Sequence, residues 1–581
     1  MRDSETKQRT RDGPEAPSQR GPDLKKLTRQ LRDMESIRSR YLPVWQEIAK
    51  YIIPGRGVFT KDEPNQAERK DRELLDPTPL QALHVLSAGL QGGLTSPSRP
   101  WFRLGVADGE LSDLYPVRLW LNEVERRMFH ILSQSNVYNE LHALYMEVGA
   151  FGVGAMLVEE DAENVVRAHT FTAGEFCLSY GMDGMPNRFS REFWMSAQQM
   201  AEEFGEDAMS DGAKNALKSG RMDQWFRVCQ MIYPDEDARG GEFPYLSVYW
   251  EEGRTSDARD QEPLAVRRYA SMPVLAPRWE VVGSDYYGYG PGHYALGESK
   301  TLQELRRDAL LARKYLINPP VVAPNRIHEA HPDLTPGGIT LVDDIANPNQ
   351  FFRPIFQVRP DEQGQIIAMQ DSRENIKTTF FADLFLAILR NPDKNMTATQ
   401  VNAIKNEQMT MIGPVYERLD HELLDPFVGR VFGIMDRFGL IPMPPEELSG
   451  AELKVDYISM LAQAQQMVGL SGIDRLTEYV GAVAKFQPEA LDVFDADSTI
   501  DEYARMLGTP AAIIRSDEAI AQIRQQRAEQ QAQMQQAEQV QQMAAAANQG
   551  AGALRQAGDA AAGGGLDALA GMMGAEGAEM A

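Results

Sequence analysis

Residues 318–360 hold Pro319, Pro320, Pro324, Pro332, Pro336, Pro348, Pro354 and Pro360, with Gly337-Gly338 among them, and the chain is helical in pattern on both sides. So many prolines forbid a long helix or an inner strand, because each fixes φ and removes a backbone donor. The stretch before them opens at Tyr286 with a glycine-punctuated turn, YYGYGPGHYALGESK. It then carries Leu302, Leu305, Ala309, Ala312 and Leu316 at helical spacing until Asn318-Pro319-Pro320 ends it. Lys300, Arg306, Arg307, Arg313 and Lys314 lie along the same helix. Helicity resumes near Glu362, with Ile366, Met369, Ile376, Phe380 and Leu384 on one face, and breaks at Asn391-Pro392. A capping box, Thr397-Ala-Thr-Gln400, starts a third helix tracked by Val401, Ile404, Ile412, Val415 and Leu419. Pro414 falls inside it and predicts a kink. Long helices flanking a compact excursion form a hairpin-like stalk. Its stripes are too apolar for a lone hairpin in water, so neighbours must cover them, and copies of the same chain are the economical source.

The rest of the 581-residue chain is long enough for several compact units. Apolar residues make up 43% and charged residues 25%, the balance of a protein with a large core. Acidic residues outnumber basic ones 84 to 59, a net charge of −25, which disfavours sequence-independent DNA binding over the whole surface. Transit of DNA is another matter, since a passage that must not hold its cargo is better acidic than basic. Cys177 and Cys229 are the only cysteines, so no disulfide framework is expected and a reducing cytoplasm is the natural compartment. The charged opening segment lacks the apolar centre of a signal peptide, and no run approaches a membrane span.

Residues 1–22 read as a disordered arm. Leu24–Ile53, Pro79–Leu94 and Val117–Leu132 read as helices. From about Gly152 the segments GAMLVEE, VVRAHTF, EFCLSY, RVCQMIY, LSVYWEE and LAVRRYA read as strands, with a helical insertion at Ser196–Phe204. Short helices are expected from Met460 to Leu507, a Gln/Ala-rich helix over 517–548, and a mobile Gly/Ala tail beyond it. The fold class is α+β.

Three segments look superficially catalytic. Gly292-His-Tyr-Ala-Leu-Gly297-Glu298-Ser299 is one residue short of a P-loop, but Glu298 stands where a lysine must neutralise phosphate. Asp495-Ala-Asp497-Ser-Thr499 fits the pattern of aspartyl-phosphate phosphatases. Too little chain follows to supply the partner lysine and Mg²⁺ carboxylates, and Ile500 and Met506 spoil it as a calcium loop, so a helix-capping acidic loop is expected. His328 and His331 have no nearby third ligand. No catalytic residue, cofactor or metal is predicted, and the chain is read as a non-enzyme. The loop Arg390, Asn391, Asp393, Lys394 and Asn395 joins two helices and is read as a solvated turn.

In order along the chain, YLPVWQEIAKYIIPGRG, LLDPTPLQALHVLSAGLQGGLTSPSRPWFRL, PVLAPRWEVVGSDYYGYGPGHYALGESKTLQEL, MTATQVNAIKNEQMTMIGPVYERLDHELLDPFVGRVF and DVFDADSTIDEYARMLGTPAAIIRS resemble the head-to-tail connector (portal) family of short-tailed bacteriophages. The resemblance spans about 25–530. It implies a portal fold: an α/β wing over 23–285 joined by a kinked wing helix at 397–440; a two-helix stem at 286–317 and 361–389; a small β-containing clip at 318–360; a channel loop at 390–396; an α-helical crown at 441–515; and a C-terminal helix and tail at 516–581. It implies a ring of subunits, twelve in the family's usual form, at one capsid vertex of the virion and assembled in the bacterial cytoplasm. The partners implied are the terminase packaging motor, tail adaptor proteins, and capsid or scaffold protein. Double-stranded DNA would pass through without tight binding, and no membrane is involved. Under it, Pro319, Pro320, Gly337 and Gly338 belong to the partner-binding clip, Arg390, Asn391, Asp393, Lys394 and Asn395 face the channel, and the basic stem residues meet either acidic neighbours or DNA. The remaining alternatives are another noncatalytic head-tail adaptor or scaffold protein and, remotely, a phosphatase using Asp495.

Overall fold

The computed structural model describes residues 22–59, 74–106, 111, 114–235, 241–252, 262–324, 335–342, 353–355, 361–389, 412–448, 453–457, 460–487, 489, 493–507 and 517–562. They divide into two compact units, Met1–Ala490 and Leu491–Ala581.

In the first unit, α1 (Leu24–Arg38) starts at Asp23, whose carboxylate accepts hydrogen bonds from the Lys25 and Lys26 amides at 3.0 and 3.2 Å. The sequence pattern runs on to Ile53, yet the helix stops at Arg38 and restarts as α2 (Leu42–Tyr51). The break lets the buried Arg38 guanidinium reach the Gly174 and Phe176 carbonyls at 2.7 and 3.2 Å. α3 (Thr78–Leu94) leads to β1 (Phe102–Val106), α4 (Tyr115–Gln134) and α5 (Val137–Phe151). In α5, Leu144 to Phe151 are buried without a break, so the helix passes through the core.

β2 (Ala155–Asp161) and β3 (Val165–Phe171) follow. Next come β4 (Phe176–Tyr180), β5 (Pro186–Ser196), α6 (Ala197–Phe204), α7 (Asp211–Lys218), β6 (Trp225–Pro234), β7 (Tyr245–Glu251), β8 (Ala265–Tyr269) and β9 (Val274–Leu275). β4 to β8 form a five-stranded antiparallel meander. Leu24, Leu27, Leu31 and Met34 of α1 pack with Cys229, Met231, Val248 and Trp250 of this sheet. A second cluster joins Ala197, Met200, Ala213 and Ala216 of α6 and α7 to Val228 and Tyr249. Residues alternate across a strand, so β6 sends Val228 to one cluster and Cys229 to the other.

The long helix α8 (Pro291–Ile317) runs out of the main core. Beyond it lie β10 (Val321–Pro324), β11 (Ile339–Val342) and β12 (Arg353–Pro354). β10 is central, parallel to β11 and antiparallel to β12. α9 (Glu362–Thr379) returns along α8, and α10 (Ala382–Leu389) follows after Phe380 and Phe381. Residues 412–419 are helical and enter a π turn, Asp420–Leu424, before α11 (Asp425–Arg437). β13 (Leu453–Tyr457) crosses back to pair antiparallel with β1, Phe102 opposite Tyr457, and α12 (Met460–Ala484) follows.

In the second unit are α13 (Ala496–Leu507) and α14 (Asp517–Ala562). Arg524 of α14 donates to Asp497 of α13 at 2.7 Å. The residues expected as a disordered arm, apart from Pro22, and the tail beyond Ala562 lie outside the described residues. No described helix is long and apolar enough to cross a membrane.

Candidate functional site

The α8–α9 hairpin is anchored at its base and bare at its tip. At the base, α8 is buried at Pro291, Gly292, Ala295, Ser299, Leu302 and Gln303. A Cβ on Gly292 would collide with the Ala150 carbonyl of α5, so glycine here lets two backbones touch. This accounts for the near-P-loop string: Gly292 to Ser299 lie within a helix, and no phosphate-cradling loop exists there.

A buried polar knot fastens both helices to the turn before α3. Gln303 Oε1 accepts from the Leu75 and Asp76 amides at 2.7 and 2.8 Å, and its Nε2 donates to the Asp76 carbonyl at 2.9 Å. Arg373 of α9 donates Nη2 to Asp76 Oδ2 at 2.7 Å, and the Thr78 hydroxyl donates to Oδ1 at 2.6 Å. Burial alone would push the Asp76 carboxyl up, but the hydrogen bonds from Thr78 and Arg373 outweigh it and hold it below its ordinary value.

Outward from Gln303 the helix has no further buried residue. The expected stripe loses cover step by step: Leu302 is buried, Leu305, Ala309 and Ala312 are half-buried, and Leu316 is 54% exposed. On α9 the pattern mirrors this, with Met369, Ser372 and Ile376 buried and Ile366 and Ile367 open. The five basic residues of α8 do not act as one face. Lys300 is tied to Glu47 of α2 at 2.6 Å, Arg306 is half-buried, and Arg307, Arg313 and Lys314 are exposed.

At the tip, the Asn318 carbonyl accepts from the Gly337 amide at 2.8 Å, and the Pro320 carbonyl accepts from Ile355 at 2.9 Å. Gly337 has φ +81°, and Gly338 and Pro320 are buried. These contacts seat the small sheet directly on the end of α8. Arg390, Asn391, Asp393, Lys394, Asn395, His328 and His331 lie outside the described residues.

Pro414 sits in the helical stretch 412–419, exposed. The irregularity the sequence does not announce is the π turn after it. There Glu422, 5% exposed, meets Arg278: Nη2 to Oε1 is 2.8 Å, and the Arg278 amide donates to Oε2 at 2.9 Å. The Tyr180 ring covers the guanidinium with its centroid 4.0 Å away. A π turn re-aims side chains relative to a regular helix, and here it brings a carboxylate onto a buried arginine.

Asp495 is a cap. Its carboxylate accepts from the Asp497 and Ser498 amides at 3.1 Å each and from the Ser498 hydroxyl at 2.7 Å. Among the described residues, no group of three or more His, Cys, Asp or Glu side chains is placed to hold a metal ion.

The site is therefore a two-helix hairpin, buried at its base and apolar where it is exposed, that carries a small three-stranded sheet at its far end. The portal protein of Salmonella phage epsilon15 is 37% identical over 512 residues, covering 87% of this chain and 91% of that protein. The probable portal protein of Bordetella phage BPP-1 is 38% identical over 502 residues, covering 86% and 90%. The solved neck of an empty gene transfer agent particle (GTA) matches over 72% of this chain and 92% of that chain at 11% identity with a TM-score of 0.33. The family model described as bacteriophage head to tail connecting protein matches residues 24–514. The chain belongs to the bacteriophage head to tail connecting protein family.

Proposed function

We propose that this chain is a portal subunit whose copies close into a ring, twelve-membered as is usual in the family, at one vertex of the capsid. The ring is the conduit for genome packaging and ejection and the seat for packaging motor and tail. In this reading residues 318–360 form the clip that meets the terminase motor and then the tail adaptors. Residues 286–317 and 361–389 form the stem, 23–285 and 397–440 the wing facing capsid or scaffold protein, and 441–515 the crown. The loop 390–396 faces the channel, where Arg390 and Lys394 touch phosphate only in passing. The role is mechanical, and ATP hydrolysis belongs to the motor.

The observation that carries this reading is the bare tip of the α8–α9 hairpin, where Leu316 and Ile317 are 54% and 79% exposed and Ile366 and Ile367 are 50% and 57% exposed. Monomers rarely leave such a patch uncovered. Electron microscopy of the purified full chain tests it. Rings with a central opening are expected, and a protein that stays monomeric at every concentration and ionic strength overturns it.

A further inference from the structure

The outward face of α1 is basic on a chain whose net charge is −25. Leu24, Leu27, Leu31, Met34 and Arg38 form the buried stripe of this helix. Lys25, Arg29, Arg32 and Ser36 are all exposed and recur at steps of four, three and four. At about 100° per residue they line up directly opposite the buried stripe. Lys26 and Asp33 flank them, and Arg40 follows just beyond the helix. Among the described residues, Lys25, Lys26, Arg29 and Arg32 form no ion pair. The helix's other carboxylates are engaged: Asp23 caps the first turn, and Glu35 lies 3.6 Å from the Arg38 guanidinium.

Local stability does not account for this pattern. The first turn of α1 holds no acidic residue and carries two lysines, where the helix dipole disfavours cations. Nor is the face that of a protein-docking surface. None of its exposed residues is apolar, whereas protein interfaces gather aromatic residues at a desolvated centre and deplete charge there. Lysine and arginine with a hydroxyl beside them, here that of Ser36, are the groups that meet phosphate oxygens. From Lys25 to Arg32 the helix rises about 10 Å, the length of about three base-pair steps of duplex DNA. α1 rests on the five-stranded sheet, which holds this stripe rigid and turned to solvent.

We infer that the outward face of α1 is a docking strip for the sugar-phosphate backbone of duplex DNA, with Lys25, Arg29 and Arg32 on phosphates and Lys26 beside them. Binding of this kind reads no bases and weakens steeply with salt. The inference rests on the portal reading, which brings DNA to the particle, and adds to it a place where DNA is held outside the passage.

Closed circular duplex DNA tests this, because it cannot thread an assembled ring and reaches only outside surfaces. Rings of the full-length chain should retain it at about 50 mM salt and release it by about 200 mM, with a slope of log affinity against log salt of about −3.6 for each subunit engaged. The triple variant Lys25→Gln, Arg29→Gln, Arg32→Gln should bind at least tenfold more weakly at the lower salt, with a slope of about −0.9 per subunit, while circular dichroism and ring counts stay unchanged. Lys218→Gln with Arg221→Gln, exposed cations at the end of α7 on the other face of the sheet, should bind as the wild type does. Equal weakening by that pair would reduce the effect to net charge and overturn the docking strip. So would unaltered binding by the triple variant, or loss of its rings. Wild-type rings that ignore the DNA would leave the face to an acidic protein or to solvent, and the inference falls. Absence of rings from the wild-type chain overturns the portal reading instead, and a short linear duplex then tests α1 on the single subunit by the same slopes.

Discussion

The Phe385 ring of α10 lies directly on the backbone of Gly89 in α3, occupying the space any Cβ at that position would need. α10 follows Phe381, whose backbone has φ +55°, a left-handed conformation that side chains other than glycine adopt at a cost. The ring in the glycine notch is one of the contacts that hold this bent arrangement in place.

Gly89→Ala should therefore destabilise the first unit by about 1–3 kcal/mol through overpacking. Gly89→Ala combined with Phe385→Ala should cost clearly less than the sum of the two single changes. Denaturant unfolding of all four proteins measures it, and simple additivity would refute the contact.

Asp76→Ala removes the acceptor that joins Arg373 and Thr78, leaving both without their buried partner. A loss of about 2–4 kcal/mol is expected, and Asp76→Asn should lose less. The folded-state pKa of Asp76 is lowered, so its contribution is complete at neutral pH and fades only as pH falls through the folded value. Chemical denaturation at pH 7 and pH 3 should show the wild-type advantage over Asp76→Ala shrinking at the lower pH.

Asp420 behaves in the opposite sense. Burial, with Asp425 and Glu417 adding to it, pushes its carboxyl up to about 7, and among the described residues nothing hydrogen-bonds to its Oδ1. A raised carboxyl favours folding while it stays protonated, and that contribution is lost as pH rises from the ordinary carboxylate value through about 7. Asp420→Asn should flatten this fall, so that between pH 5 and pH 8 the wild type loses on the order of 1–3 kcal/mol relative to the variant. Melting temperatures across that range decide it, and parallel curves would rule out Asp420 as the titrating group.

Removing residues 325–345 should leave ring formation intact and abolish attachment of the packaging motor and tail. Particle counts by electron microscopy and DNA packaging assays separate the two. Packaged, tailed particles from the deletion would show that 318–360 is not the docking tip.

Much of this was legible in the sequence because periodicity reports on water. Leu24, Leu27, Leu31 and Met34 mark a helix lying on a sheet, and α4 buries the Leu121, Val124, Met128 and Ile131 its spacing marks. α5 went unseen for the complementary reason. Leu144 to Phe151 are buried on every side, so no stripe forms, and Gly149 sits within the run. The break after Arg38 is marked by Pro43 in the first turn of α2, which the helical spacing on either side of it outweighs on a first reading, whereas the break at Phe381 carries no glycine or proline and is set by packing onto α3. At the site, the proline-rich tip and the apolar stripe were readable. The Asp76 knot and the Arg278–Glu422 pair were not, since each joins residues far apart in the chain that only the fold brings together.

The pairing of Phe102–Val106 with Leu453–Tyr457 sets a timetable for synthesis. A ribosome finishes β1 long before it reaches β13, an interval on the order of half a minute at ~10 residues per second. Until then the nascent chain displays an open strand edge, able to recruit strands from other nascent chains. Translation speed and chaperone supply therefore bear on how much of the synthesised chain closes this pair before an edge is captured.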